Sequence, residues 1–424
     1  MKQVLIKGAK VICAENKINE KADILIENGK IKQIAENIKC ADAEIINAEN
    51  MTAIPGLVDM HCHLREPGYE YKENIYTGSR AAAKGGFTSI ACMANTNPVN
   101  DNPAITTSII ETAKIDSVVN VYPIGAATKS LAGKELVEMG MMKDAGCVAF
   151  SDDGKGVAAA KMMYNALNYA KQFDMLVISH CEDELAAGGC INEGIMSTKL
   201  GLPGINRAAE EIMVFREIAL AEALDTKVHI AHISTRGSVE IIRNAKKRGV
   251  KVTCETCPHY ISGTDEMTAE YDTSTKVNPP LRTEDDRQAI IKGIVDGTID
   301  AIATDHAPHH VDDKLVEYQL ASMGISGFET AFSLCYTNLV ANKIITMEKL
   351  VALICLNPAK ILNLNAGALS VDADADITII DENAEYKVDV ASFVSKGKNN
   401  PFDGWNVKGK IDTTIVNGKI VYKA

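Results

Sequence analysis

From residue 54 to 308 the sequence alternates short apolar, β-branched runs with longer segments of helical periodicity. The strand candidates are IPGLVDMHCH, FTSIACMA, VNVYPIGAA, GCVAFSD, MLVISHCE, KVHIAHIS, KVTCETCP and IDAIATDHAP. Between them lie helix candidates such as ENIYTGSRAAAKGG, AAEEIMVFREIALAEALD and RGSVEIIRNAKKRG, and FETAFSLCYTNLVANK follows the last. Eight β-then-α units in series predict an α/β chain folded as a (β/α)8 TIM barrel. The ends are built differently. ILIENGKIKQI and TTIVNGKIVYKA each place an Asn-Gly pair, Asn28-Gly29 and Asn417-Gly418, between alternating runs, which signals hairpins. ADITIIDENAEYKV adds a further extended run near the second hairpin. The expected organisation is therefore a barrel over 54–364, with 1–53 and 365–424 packing together as one small β-sandwich domain.

Composition narrows the partners. A net charge of −12 over 424 residues argues against nucleic acid, because phosphate binding needs a basic face. It leaves open a small anionic substrate, which responds to the local charge of a cleft. No run approaches the roughly 20 apolar residues of a membrane span, and the first residues lack the apolar core of a signal peptide. Eleven scattered cysteines read as reduced thiols of a cytoplasmic protein. Cys254 and Cys257 form a lone C-x-x-C, read as two buried thiols on a strand end because no second pair completes a zinc knuckle.

Chemistry collects at the ends of the strand candidates. In DMHCHLREPG, His61 and His63 point the same way by strand alternation, and Arg65 continues the series. Strand four ends in Asp152 and Asp153, strand five in His180, strand six in His232 and strand eight in Asp305. His229 falls on the opposite side of its strand and reads as structural. Barrel enzymes place their active sites on this C-terminal rim. Four histidines and several carboxylates converging there predict a metal site. Nitrogen and oxygen donors without thiolate fit Zn²⁺ ahead of Mn²⁺, Co²⁺ or Fe²⁺.

The stretches DMHCHLREPG and ATDHAPHHVDDK, the latter closed by Lys314, resemble the two signatures of the dihydroorotase family of the amidohydrolase superfamily. The resemblance extends through CMANTNP, FSDDGKG, ISHCED, NPPLR and NPAKILNL, and is nearest to the bacterial type of this length. It implies that His61, His63 and Asp305 hold a first metal and that His180 and His232 hold a second. Asp153 is implied as the bridge, with Asp152 the runner-up, so that one or two zinc ions remain open. Many relatives bridge with a carboxylated lysine, but strand four here has none, and Lys155 reads as solvated. Arg65, Asn95 and His309 match contacts to a substrate carboxylate, and Asn278 a contact to the ring. Met323 and Gly324 stand where a backbone contact to the ring edge is expected, although Met323 departs from the expected aromatic. His63 is implied in substrate binding as well.

The implied reaction is reversible cyclisation of N-carbamoyl-L-aspartate to (S)-dihydroorotate, in pyrimidine synthesis, with Asp305 as general acid and base. Allantoinase and dihydropyrimidinase are the nearest rivals, and Arg65 with FSDDG argues against them. A catalytically silent partner of aspartate transcarbamoylase is a rival of another class, but it would have lost metal ligands that are present here. Relatives, and the commonness of two-fold oligomers, imply a homodimer, and association with the transcarbamoylase stays open. Segments 188–206 and 306–328 are the candidates for a lid. His259, His306, His310 and Trp405 are given no direct role.

Overall fold

The computed structural model describes residues 3–424. All eight barrel strands form where the apolar runs lie: Leu57–Cys62, Phe87–Cys92, Asn120–Pro123, Ala149–Phe150, Leu176–Ser179, Val228–Ile230, Val252–Thr256 and Ala301–Ile302. The first three pair in parallel, and so do the last five in chain order. Parallel bridges close the ring, from Gly125 to Phe150 between strands three and four and from Cys62 to His306 between strands eight and one. The interior is packed with apolar side chains, small ones such as Ala91, Ala149, Ala231 and Ala301 beside the larger Met60, Met93 and Ile178, with Leu362 filling in from the return segment. These fill the barrel as a core and leave chemistry to its rim.

The surrounding helices follow the predicted periodicity, and polar caps fix where they begin. Asn74 accepts from Thr77 N at the head of Ile75–Lys84, and Thr235 accepts from Ser238 N at the head of Arg236–Lys247. The latter helix buries Val239, Ile242 and Ala245, leaves Lys247 in water, and ties the half-buried Lys246 to Thr298 O at 2.8 Å. The run predicted as one helix after strand eight is helical over Phe328–Cys335 and then widens into a π-helical turn over Tyr336–Ala341.

Both ends of the chain enter one β-sheet. Its order is Lys419–Lys423, Asn406–Val416, Ile377–Lys387, Thr52–Pro55, Gln3–Cys13, Ile18–Glu27 and Lys30–Ala35, with Glu44–Asn47 pairing beside Gln3–Cys13. The Asn-Gly turns form as predicted, with Asn28 at φ 52° and Gly29 at 81°, and Asn417 at 49° and Gly418 at 73°. A bulge between Ile6 and Ala9 shifts the alternation of the first strand by one residue. Gly8, at φ 76°, absorbs the extra residue, so that Val4 and Ile6 and then Ala9, Val11 and Cys13 all face the same core. Among the described residues no helix is long and apolar enough to cross a membrane.

Candidate functional site

The rim residues meet in one buried cage. His61 Nε2 lies 3.3 Å from Asp153 Oδ1 and 3.5 Å from Asp305 Oδ1. His63 Nε2 lies 3.4 Å from Asp153 Oδ2 and 3.1 Å from Asp305 Oδ1. On the far side, His180 Nδ1 and His232 Nε2 stand 2.9 Å apart and 3.5 and 3.6 Å from Asp153 Oδ1. Asp153 thus faces all four imidazoles. Asp152, its neighbour, is turned away and accepts from Ala127 N, Thr128 N and the Thr128 hydroxyl. Lys155 is exposed.

The backbone reaches this geometry by leaving strand conformation. Strand one ends at Cys62, and Arg65, at φ 64°, arrives at the cavity through a turn and not by extending the alternation of His61 and His63. His232 at φ 31° and Asp305 at φ 46° are also left-handed just past their strand ends. Such a conformation costs a non-glycine residue on the order of 1 kcal/mol or more, and is held only by fixed surroundings. Around Asp305 those surroundings are visible. The buried Asp59 carboxylate accepts from Thr304 N and Oγ1 at 2.9 and 2.6 Å, Thr304 Oγ1 accepts from His306 N, and His63 N donates to His306 O at 2.8 Å.

A second layer aims the imidazoles. Glu255 Oε1 is 2.7 Å from His61 Nδ1, Asn95 Oδ1 is 2.8 Å from His63 Nδ1, and Glu182 Oε2 is 2.9 Å from His180 Nε2. Each contact fixes which ring nitrogen is left for the cage. Glu255 and Glu182 were not anticipated. The available signal for Glu255 was a carboxylate in an otherwise buried strand, hidden between the two cysteines that drew attention. Those cysteines are both buried free thiols. His229 bonds Thr253 Oγ1 at 2.8 Å and lies 3.4 Å from Glu255, in the structural place expected of it.

The field inside is strongly acidic. Burial pushes the Asp153 and Asp305 carboxyls up, but the surrounding imidazoles outweigh it and hold both well below the usual carboxylate range. Burial likewise opposes charge on Glu255, yet the neighbouring His229 and His61 imidazoles bring it down to about 2. Conversely, Asp153, Glu255 and Asp305 carry His61 well above the ordinary histidine value against burial, and Asp153 and Glu182 raise His180 to about 10. The cage therefore calls for positive charge. Two of its atoms, His61 Nε2 and Asp153 Oδ1, are buried without a hydrogen-bond partner while facing one another at 3.3 Å. Donor atoms of His61, Asp153 and His232, and of His61, His63 and Asp305, lie within 4.8 Å of one another. Nitrogen and carboxylate donors, an acidic field and unpaired buried acceptors together fit a divalent cation.

Above the cage is a cavity of about 210 Å³. Of the residues predicted for the site, His63, Asp153, His180, His232 and Asp305 form its floor, and Arg65, Asn95, Asn278, His309, Met323 and Gly324 its walls. His61 alone lies outside the lining, fully buried beneath. Asn278 Nδ2 donates to Glu182 Oε2 at 3.0 Å. Gly324 lines the cavity, but its N–H donates to Lys276 O and its carbonyl accepts from Asn399 Nδ2, both at 2.9 Å. The two loop segments on this rim interlock: Cys190, Ile191 and Met196 pack on Tyr318. Arg282 further ties Asn192 Oδ1 and Ile205 O at 3.0 and 3.1 Å.

Residues 51–238 match the family described as Dihydro-orotase-like. The dihydroorotase of Acetivibrio thermocellus is 55% identical over 421 residues, covering 99% of each chain, and that of Geobacter metallireducens is 52% identical over 422 residues, again 99% of each. The chain belongs to the dihydroorotase family. It is accordingly a hydrolase of cyclic amides. Among solved structures, L-hydantoinase (dihydropyrimidinase) from Arthrobacter aurescens superposes with a TM-score of 0.88 at 26% identity, covering 100% of this chain and 96% of that one. The dihydropyrimidinase from Brevibacillus agri, at 22% identity and a TM-score of 0.86 over 99% of this chain and 95% of its own, shares the fold. Both superpositions run over the barrel and the β-sheet that this chain draws from its two ends.

Proposed function

We propose that this dihydroorotase-family chain is itself a zinc-dependent dihydroorotase. It would interconvert (S)-dihydroorotate and N-carbamoyl-L-aspartate, the third step of UMP synthesis. One observation carries the reading: relatives named dihydroorotase are 50–55% identical to it over 99% of the chain. The site supports it. The substrate ring bears a carboxylate that does not react, and Arg65 brings to the cavity wall a planar fork suited to holding one. Asn95 and His309 flank that carboxylate on this reading, and Asn278 meets the ring.

His61, His63 and Asp305 would hold one zinc ion, His180 and His232 a second, with Asp153 between them. Zinc bound there would lower the pKa of water from 15.7 towards about 7 and would supply a Lewis acid for the ring carbonyl. The protein's own part is positioning and proton transfer. Asp305, ionised and set at the cavity floor beside His63, takes the proton of the attacking water. The ring C–N bond breaks, the water oxygen stays on the carbon, Asp305 hands the first water proton to the departing nitrogen, and the second is released to solvent as the new acid ionises to a carboxylate. In the reverse direction Asp305 takes the proton of the attacking nitrogen and passes it to the carboxylate oxygen, which leaves as water with a second proton taken from solvent. Meanwhile the arginine fork keeps the unreactive carboxylate away from the cage.

The L-hydantoinase match favours a second reading, hydrolysis of a cyclic amide without that carboxylate. One experiment separates the two: dihydroorotate hydrolysis followed by ultraviolet absorbance, beside a hydantoin, before and after chelation, with metal counted on the same sample. Dihydroorotate turnover that disappears on chelation and returns with zinc is the expected result. Turnover of the hydantoin alone would overturn the proposal.

A further inference from the structure

His309 has three neighbours and, as a neutral ring, one proton to place. Its Nδ1 lies 3.2 Å from Lys72 Nζ. An ammonium carries donors and no acceptor, so Nδ1 presents its lone pair to Lys72. The ring proton then sits on Nε2, which donates to the Met323 carbonyl at 2.8 Å. Burial, and then the charges of Arg65, Lys72 and Lys314, push the His309 imidazole down to about 2, so no second proton is available. The consequence falls on Arg65. Its Nε donates to Pro308 O at 3.2 Å, and one terminal nitrogen lies 3.3 Å from His309 Nε2. With Nε2 protonated, that terminal nitrogen meets a donor, and its hydrogens are not consumed by the ring.

The opposite tautomer has a sponsor close by. Asp313 Oδ2 is 3.3 Å from Lys72 Nζ and 3.9 Å from His309 Nδ1. Without the ammonium, the Asp313 carboxylate would draw the ring proton to Nδ1. Nε2 would then lose its bond to Met323 and accept from Arg65, tying the guanidinium to the protein. Lys72 is placed to prevent this, with its side chain only 15% exposed at the edge of the site.

We propose that Lys72 is a positioning residue that holds His309 as the Nε2–H tautomer and thereby leaves the Arg65 guanidinium free for a substrate carboxylate. The carboxylate rests on the dihydroorotase reading above; the tautomer does not. The test compares wild type, Lys72→Met, Lys72→Arg and Lys72→Met with Asp313→Ala. Two readouts are taken on the zinc-loaded protein. The ¹⁵N shifts of His309, assigned against His309→Asn, report the tautomer, and steady-state kinetics on dihydroorotate give KM and kcat separately. In Lys72→Met the His309 proton should move to Nδ1 and KM should rise about tenfold or more, the scale of one lost charge-assisted contact, with kcat changed far less. Lys72→Arg should keep the wild-type tautomer and most of the affinity. Removing Asp313 from the Lys72→Met protein should restore both. A Lys72→Met protein that keeps Nε2–H, or that switches tautomer at unchanged KM, would overturn the proposal. A failed dihydroorotase reading shows separately, as wild-type protein that does not turn over dihydroorotate while its tautomer remains readable.

Discussion

Glu255 braces His61 from behind the cage, with Oε1 2.7 Å from His61 Nδ1 and Oε2 3.4 Å from His229 Nε2. All three side chains are fully buried. A carboxylate behind a ligating imidazole orients the ring and raises its basicity, and losing it typically costs 10- to 100-fold in metal affinity, about 1.4–2.7 kcal/mol. Glu255→Gln should therefore release metal to a competing chelator at about that factor lower chelator strength. Unchanged retention would mean that His61 is held well enough by the strand alone.

Asp305→Asn tests proton transfer. The amide can occupy the same space beside His63 but cannot accept the proton. Turnover should fall by about 10²–10⁴, the usual worth of a positioned acid or base. Metal content measured on the same sample guards the interpretation, and near-normal turnover with metal bound would remove Asp305 from that role.

Arg65→Ala should separate binding from metal retention. Arg65 lines the cavity wall, and its Nε bond to Pro308 O is its tie to the loop. KM for dihydroorotate should rise by about tenfold or more from the loss of a bidentate contact, while metal content holds. A parallel loss of metal would make Arg65 a support for the cage instead.

A pH effect is expected far from the chemistry. Asp376 joins the terminal sheet to the barrel, accepting from Asn417 N at 2.7 Å and from Asn120 Nδ2 at 2.8 Å. Burial, reinforced by the charge of Asp374, pushes its carboxyl up to about 6, against about 3.9 in an unfolded chain. The fold thus prefers the neutral acid. Its contribution is full below about pH 4 and is lost as pH rises to about 6, after which it is flat. Asp376→Asn, neutral throughout, should match wild type in Tm near pH 4 and gain on it progressively up to pH 6. A constant difference across that range would show that Asp376 keeps an ordinary pKa.

Strands and rim residues were legible in the sequence for one physical reason. A buried parallel strand writes itself as an apolar run, so a polar residue at its end stands out. His61, His180, His232 and Asp305 were found that way. Arg65 reached the right cavity in the expectation for an incomplete reason, because strand alternation stops at Cys62 and a left-handed turn does the rest. Glu255 was missed because the flanking cysteines offered a more familiar pattern. Lys72 was out of reach, since it acts on a ring 237 positions away in the chain and nothing in YEYKE distinguishes it from a solvated lysine. The bulge at Gly8 shows as a break in alternation only once the facing strand is known.

The sheet that joins both ends of the chain bears on how the molecule is made. Thr52–Pro55 pairs on one side with Gln3–Cys13 and on the other with Ile377–Lys387. Translation delivers the first two long before the third, with the whole barrel between them. Until the third arrives, Thr52–Pro55 has no strand to pair with on that side, and an unpaired strand edge is the kind of surface on which unfinished chains stick to one another. A chain cut before residue 377 would lack both the strand that covers Thr52–Pro55 and the Ile377, Ile379 and Ile415 side chains of the same core, so the N-terminal strands could not complete their sheet.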